Sequence, residues 1–243
     1  MDARRDQERR DELDHLAGLT RVTRGRLIVF EGGEGAGKST QLRRLVTRLT
    51  AIGVPHRTFR EPGGTPAGDR IRDLLLHTES PLAATTEAAL FIASRAELVA
   101  TEVRPALDAG TPVILDRFLL STYAYQIHGR GLPEADVRAA NRLATGGLAP
   151  DLTILLLLAA ETGLARAGSR SGADRIERAE RDFHVRVAVA FARFATAAWQ
   201  HEHAECGRIV AVPAEGSEAE VGARVLSAVE QHCPDLLSVG ARA

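Results

Sequence analysis

Residues Gly32-Gly33-Glu34-Gly35-Ala36-Gly37-Lys38-Ser39-Thr40 constrain this chain more than any other stretch. The apolar run Leu27-Ile28-Val29-Phe30 precedes them and reads as a buried strand. Behind them Leu42, Leu45, Val46 and Leu49 recur at helical spacing. A loop with glycine at Gly32 and Gly37, followed by Lys38 and Ser39, between a strand and a helix has one well-defined chemistry. Its backbone N–H groups curl around phosphate oxygens where a Cβ would intrude, and the helix N-terminus faces the same anion. Lys38 then reaches the β- and γ-phosphates, and the Ser39 hydroxyl ligates Mg²⁺. This stretch alone specifies a nucleoside triphosphate as ligand and leaves the use of that ligand open.

From Arg26 onward strands and helices alternate. Strands are expected at Leu27–Glu31, Val54–Arg60, Val113–Asp116, Leu152–Leu158 and Arg208–Val212. The intervening helices are expected at Gly37–Ala51, Pro66–Leu76, Thr85–Asp108, Leu119–Gln126, Pro133–Leu143, Thr162–Ala167, Asp182–His203 and Glu218–Gln231. Short, continuously apolar strands alternating with helices predict an α/β fold with a five-stranded parallel sheet covered on both faces, in three α/β/α layers. Residues 24–235 make one domain. Residues 1–23 are mostly polar and are expected to be a frayed extension, as are residues 236–243. Residues 166–178 are polar and contain Gly168 and Gly172, as a closing lid would.

Composition removes several alternatives. The formal charge of −1 gives no bulk attraction to nucleic acid or anionic lipid, so phosphate must be met by a local cluster of arginines. The two cysteines, Cys206 and Cys233, form no disulfide framework and no zinc spacing. The longest apolar run, Leu152 to Ala160, is strand-sized, and the N-terminus has no apolar leader, which makes the cytoplasm the expected compartment.

In a doubly wound sheet the carboxyl ends of the strands face the ligand. Asp116 ends the third strand there, where a carboxylate beside the phosphate loop holds Mg²⁺ directly or through water. Arg60 and Arg117 lie at the same edge, and Arg95, Arg166, Arg170 and Arg175 occupy a helix and the polar stretch. Guanidinium forks suit phosphate, so the edge reads as a site for two phosphorylated ligands.

Several ordered motifs then coincide: Phe30 to Thr40, Arg60-Glu61-Pro62-Gly63-Gly64-Thr65, Phe91 with Arg95, Asp116-Arg117 followed by Ser121 to Gln126, Gly129-Arg130-Gly131-Leu132, Pro150-Asp151-Leu152-Thr153 and Asp174-Arg175-Ile176-Glu177. With these the chain resembles the thymidylate kinases over about residues 26–231. The resemblance implies a P-loop kinase that moves the ATP γ-phosphate to dTMP with Mg²⁺. It implies that Phe91 stacks on thymine, that Arg95 bonds a base carbonyl, that Thr122 contacts the pyrimidine edge, and that Gln126 is a further substrate-binding residue. Glu34 would take the sugar 3′-hydroxyl, Tyr125 would pack beside C2′, and Arg60 and Arg117 would hold the dTMP phosphate. Lys38, Asp116, Arg117 and the lid arginine Arg170 would serve transfer, with Ser39 and Asp116 at the metal. A cis Glu61–Pro62 bond and a homodimer paired through helices beside the sheet are also implied. The residues leave open another or modified pyrimidine monophosphate as acceptor. A non-catalytic nucleotide-binding regulator would need a lost site residue, and Lys38, Ser39, Asp116 and Arg117 are all present. No N-K-x-D guanine motif occurs, which argues against a switch GTPase.

Overall fold

The computed structural model describes residues 24–168, 175–176 and 179–237. The expectations for residues 1–23, for Arg170 and for most of the lid lie outside them. Five strands, β1 (Leu27–Gly32), β2 (Arg57–Arg60), β3 (Val113–Asp116), β4 (Leu152–Leu157) and β5 (Ile209–Pro213), form one parallel sheet in the order β2-β3-β1-β4-β5. The predicted α/β architecture is the one found.

The strand pattern explains the layers. Side chains alternate across a strand, so Leu27 and Val29 enter one core while Ile28 and Phe30 enter the other. On the second face α1 (Lys38–Ala51) contributes Leu42, Leu45 and Leu49, and α10 (Glu218–His232) contributes Val221, Val225 and Val229. The first face is larger. It is covered by α2 (Pro66–His77), α3 (Ala84–Leu98), α4 (Arg104–Asp108), α5 (Leu119–Thr122), α6 (Glu134–Thr145) and α8 (Arg181–Phe194). The remaining helices are α7 (Ala160–Gly168), α9 (Ala197–Glu202) and α11 (Pro234–Leu237).

Four expected elements are recut by local physics. The strand expected from Val54 begins at Arg57, because the Val54 N–H still closes α1 by donating to Leu49 O at 2.9 Å. The helix expected over Asp182–His203 breaks after Phe194. Thr196 there takes extended backbone and its side chain caps α9 by accepting from Trp199 N. Trp199 can then turn inward, where it stacks on His203 at 3.8 Å and tilts against Phe194 at 4.3 Å. The helix expected over Thr85–Asp108 has a π-helical turn at Val99–Val103, and the one over Leu119–Gln126 continues as a π-helical segment at Tyr123–Gly129. Inserted π turns re-aim side chains and cluster at functional sites.

Sheet register brings the site residues into one row. Phe30 and Arg60 both pair with Asp116, so the phosphate loop, the end of β2 and the end of β3 leave the sheet side by side. The Glu61–Pro62 bond is cis, as the resemblance implied. Among the described residues no helix is long and apolar enough to cross a membrane.

Candidate active site

A cleft of about 850 Å³ runs along the carboxyl edge of the sheet. One end is bounded by Phe91, Thr122 and Gln126, the other by Ala214, Gly216 and Ser217, and the phosphate loop from Glu34 to Thr40 lies between them.

The loop has the required geometry. Gly37 caps α1 at φ +88° and Gly35 lies at φ +65°. A Cβ on Gly35 would meet the Gly163 carbonyl oxygen at 2.0 Å, so a side chain there would displace α7. Ala36 is buried in the second core, fixing the loop from below. Lys38 Nζ donates to the carbonyls of Gly32 and Gly33 at 3.0 and 2.7 Å, curled over the loop it would otherwise leave for phosphate. Burial, and then the Arg117 charge, lower its pKa to about 8.

The metal-ligand pair is also assembled. The Ser39 hydroxyl donates to Asp116 Oδ2 at 2.7 Å, while Asp116 Oδ1 is buried without a partner among the described residues. A hydroxyl and an orphaned carboxylate oxygen are the hard donors that Mg²⁺ takes alongside phosphate oxygens and water, so these residues fit the ion.

Arg117 follows Asp116 at φ +69°, a conformation that side chains seldom adopt and that is retained where the surroundings impose it. Its backbone N–H donates to Phe30 O at 2.9 Å. Buried Glu31 fixes the turn beyond it, accepting from Phe118 N, Ser121 N and the Ser121 hydroxyl. The guanidinium then reaches Glu34 Oε1 at 2.9 Å and Ser121 Oγ at 3.1 Å. Tyr125 joins the same carboxylate oxygen through its hydroxyl at 2.6 Å, with its ring 5.2 Å from the Arg117 guanidinium. Burial pushes the Glu34 pKa up, but Arg117, Lys38 and the Tyr125 hydroxyl outweigh it and bring it to about 2. Arg60 lines the cleft and is exposed, its guanidinium without a hydrogen-bond partner among the described residues.

At the other end Phe91 is half-buried, packed on the first core and facing the cleft. Arg95, expected as a base ligand, is engaged in a different way. Its Nε and Nη2 donate to Glu61 Oε2 at 2.8 and 2.6 Å, Nη2 also to Phe118 O, and Nη1 to Thr122 Oγ1 and Asn141 Oδ1. Five N–H directions are thus taken by protein acceptors, and a base carbonyl reaching Arg95 has to share one. The pair is 2% and 4% exposed, and burial outweighs Arg95 in raising the Glu61 pKa. Thr122 is left as the residue with a hydroxyl proton to offer the base.

Arg175 is among the described residues, whereas its motif neighbours Asp174 and Glu177 are not. It bonds Glu87 Oε2 at 2.7 Å and the Leu75 carbonyl at 2.8 Å, and Ile176 behind it forms part of the cleft wall. Residue-level reading missed Glu87, Glu31, Arg72 and the loop after β5. The last carried one visible signal, the Ser217–Glu220 capping box that starts α10 at the cleft. Arg166 also borders the cleft, donating to Ala214 O at 3.2 Å.

A five-stranded parallel sheet with a phosphate loop at its centre, a second arginine-lined half-site and a strand-end aspartate defines a P-loop nucleoside monophosphate kinase. The family model for thymidylate kinase matches residues 30–209. A thymidylate kinase of Synechococcus sp. is 48% identical over 207 residues, covering 85% of this chain and 95% of its own length. One from Deinococcus radiodurans is 42% identical over 210 residues, 86% and 98% of the two chains, and one from Pseudomonas fluorescens is 48% identical over 177 residues, 72% and 84%. The chain belongs to the thymidylate kinase family.

Proposed function

We propose that this protein transfers the γ-phosphoryl group of ATP to dTMP, giving dTDP and ADP. The observation that carries the reading is the continuity of the cleft, in which one phosphate loop serves two nucleotide half-sites. Phosphoryl transfer asks mainly for alignment and charge neutralisation. ATP lies with its phosphates on Gly32–Thr40 and its base toward Ala214–Ser217. Lys38 leaves the Gly32 and Gly33 carbonyls for the β/γ-phosphates. Ser39 and Asp116 would hold Mg²⁺, which would supply charge neutralisation at the phosphates.

The acceptor lies against Phe91, with its phosphate between Arg60 and Arg117. Arg117 exchanges its contact with Glu34 for that phosphate, and Glu34 keeps Oε2 for the sugar 3′-hydroxyl. Tyr125 fills the space beside C2′, and Thr122 and Gln126 meet the base edge. Arg170 neutralises the transferring group from the lid. The enzyme works in the cytoplasm, where its buried thiols Cys206 and Cys233 remain free. It acts as a homodimer, joined through the helical layer that exposes Leu74 and Leu143. Light scattering checks this last point, and a mass near one chain at micromolar concentration would refute it.

Release of ADP across dTMP, dUMP, dCMP, dGMP and UMP tests the function. The highest kcat/KM is expected for dTMP, and an equal or higher value for UMP would overturn the assignment.

A further inference from the structure

Glu87 lies in the first turn of α3 and is 1% exposed. Its Oε1 accepts from Gln126 Nε2 at 3.0 Å and Arg130 Nε at 3.1 Å, and its Oε2 from Arg130 Nη2 at 3.0 Å and Arg175 Nη2 at 2.7 Å. Both arginines are themselves anchored. Arg130 lies 4.4 Å from the Phe183 ring centroid, and Arg175 is tied to the Leu75 and Leu76 carbonyls at the end of α2. Burial works against the Glu87 charge, but the bonds from Arg130 and Arg175 hold its pKa below the usual carboxylate range. An ionised carboxylate only accepts hydrogen bonds.

This fixes a polarity that a carboxamide does not otherwise have. Only the NH₂ end of Gln126 can face Glu87, so Oε1 is the end left for the cleft that Gln126 lines. Among the described residues that oxygen has no hydrogen-bond donor, in a residue that is 2% exposed and lines the cleft. On the same wall Thr122 Oγ1 accepts from Arg95, which turns the hydroxyl's own proton elsewhere. An acceptor beside a donor complements a pyrimidine imide edge, N3–H beside a carbonyl. Cytosine offers a lone pair at N3 instead and would leave two acceptors facing each other, a mismatch that binding sites reject strongly.

We infer that Glu87 is a specificity-setting positioning residue: by locking the Gln126 oxygen into the cleft it selects pyrimidines protonated at N3, thymine and uracil, over cytosine. The inference rests on the reading that Gln126 faces the acceptor base. The two arginines complete the device. They keep Glu87 ionised and immobile, so that Gln126 gains nothing by rotating.

Glu87→Gln keeps the shape and supplies an NH₂ group toward which Gln126 can turn its oxygen. The readout is the ratio of kcat/KM for dTMP to that for dCMP, which does not depend on the fraction of folded enzyme. A fall of fivefold or more is expected, with the dTMP-to-dUMP ratio unchanged because both bases carry N3–H. A smaller fall, or a parallel fall with dUMP, overturns the inference. Gln126→Leu separates the two ways of failing. If it collapses the dTMP-to-dCMP ratio while Glu87→Gln does not, Gln126 reads the base without Glu87. If neither variant moves the ratio, Gln126 does not face N3. Should Glu87→Gln prove insoluble, Glu87→Asp keeps the charge before both arginines while withdrawing it from the amide. It should lower the same ratio at least threefold, and a smaller change overturns the inference.

Discussion

The Tyr125 hydroxyl donates to Glu34 Oε1 at 2.6 Å, joining the residue we place beside the sugar to the acidic residue of the phosphate loop. The tyrosine therefore has two separable parts. Its ring fills space, edge-on to Phe183 and Phe191 at 6.0 and 6.2 Å between centroids, and its hydroxyl orients Glu34. Tyr125→Phe should lower kcat/KM for dTMP roughly tenfold, since a hydrogen bond to a charged group contributes about 1.5 kcal/mol. It should leave the preference for dUMP over UMP intact. Tyr125→Ala should lower that preference by about tenfold or more, because a pocket rejects a hydroxyl only while it is filled. An unchanged ratio in Tyr125→Ala would make the ring structural.

Glu34 links the site to acid stability. Its pKa is about 2 in the folded chain, below the ordinary 4.5. A carboxylate with a depressed folded pKa contributes stability above its unfolded pKa and loses it as pH falls through the folded value. Glu34→Gln should therefore be less stable than the parent at pH 6, by roughly 1.5–3 kcal/mol for the lost charged hydrogen bonds. The difference should close between about pH 4.5 and pH 2. Denaturant midpoints measured across that range check this, and a gap that stays constant would contradict it.

Lys38 titrates in the opposite sense during binding. Burial and Arg117 lower its pKa to about 8 in the ligand-free cleft. The ATP phosphates favour the charged form, so binding must take up a proton on the alkaline side of that value. Calorimetry at pH 8.5 in buffers of different ionisation enthalpy should show net proton uptake, and the KM for ATP should rise above about pH 8. Proton release, or no uptake, would count against Lys38 as the phosphate ligand.

The sequence exposed the parts of this site that short-range chemistry imposes. Gly32 to Thr40 can do little but bind phosphate, and the apolar runs of β1, β3 and β4 leave few topologies. What it concealed depends on packing between distant elements. Glu87 reads as an acidic residue opening a helix; its partners Gln126, Arg130 and Arg175 lie 39, 43 and 88 residues away, brought together only by the fold. Arg95 reads as a ligand because of its motif, yet Glu61, Phe118, Thr122 and Asn141 all reach it once α3, α5 and α6 pack. The π-helical segment at Tyr123–Gly129 has no composition cue, since its register is set by what Tyr123, Tyr125 and Gln126 must reach. The break after Phe194 did carry one, a threonine able to cap α9, which continuous helical periodicity hid.

The last prediction concerns the cation at the transferring phosphoryl group. Charge spreads over three oxygens in that transition state, more than Lys38 and a metal ion offset. A side chain within the phosphate loop would be the nearest source, at Gly35. That position is closed: with the Gly163 carbonyl oxygen 2.0 Å from where a Cβ would stand and φ at +65°, the α7 backbone excludes every side chain. The cation must come from outside the phosphate loop. Arg166, on the last turn of that helix, is tied to the Ala214 carbonyl at the ATP end, and Arg175 is committed to Glu87. Arg170, between them in sequence, is the residue we assign to the role. Arg170→Ala should lower kcat by roughly 10²-fold, a conservative figure for an arginine at a transferring phosphoryl group. The KM for dTMP should move little, because we assign that phosphate to Arg60 and Arg117. Adding Gly35→Arg to the variant should restore nothing, since the loop has no room to seat it. A kcat within about threefold of the parent, well under 1 kcal/mol of barrier, would move the assignment from Arg170 to Arg166.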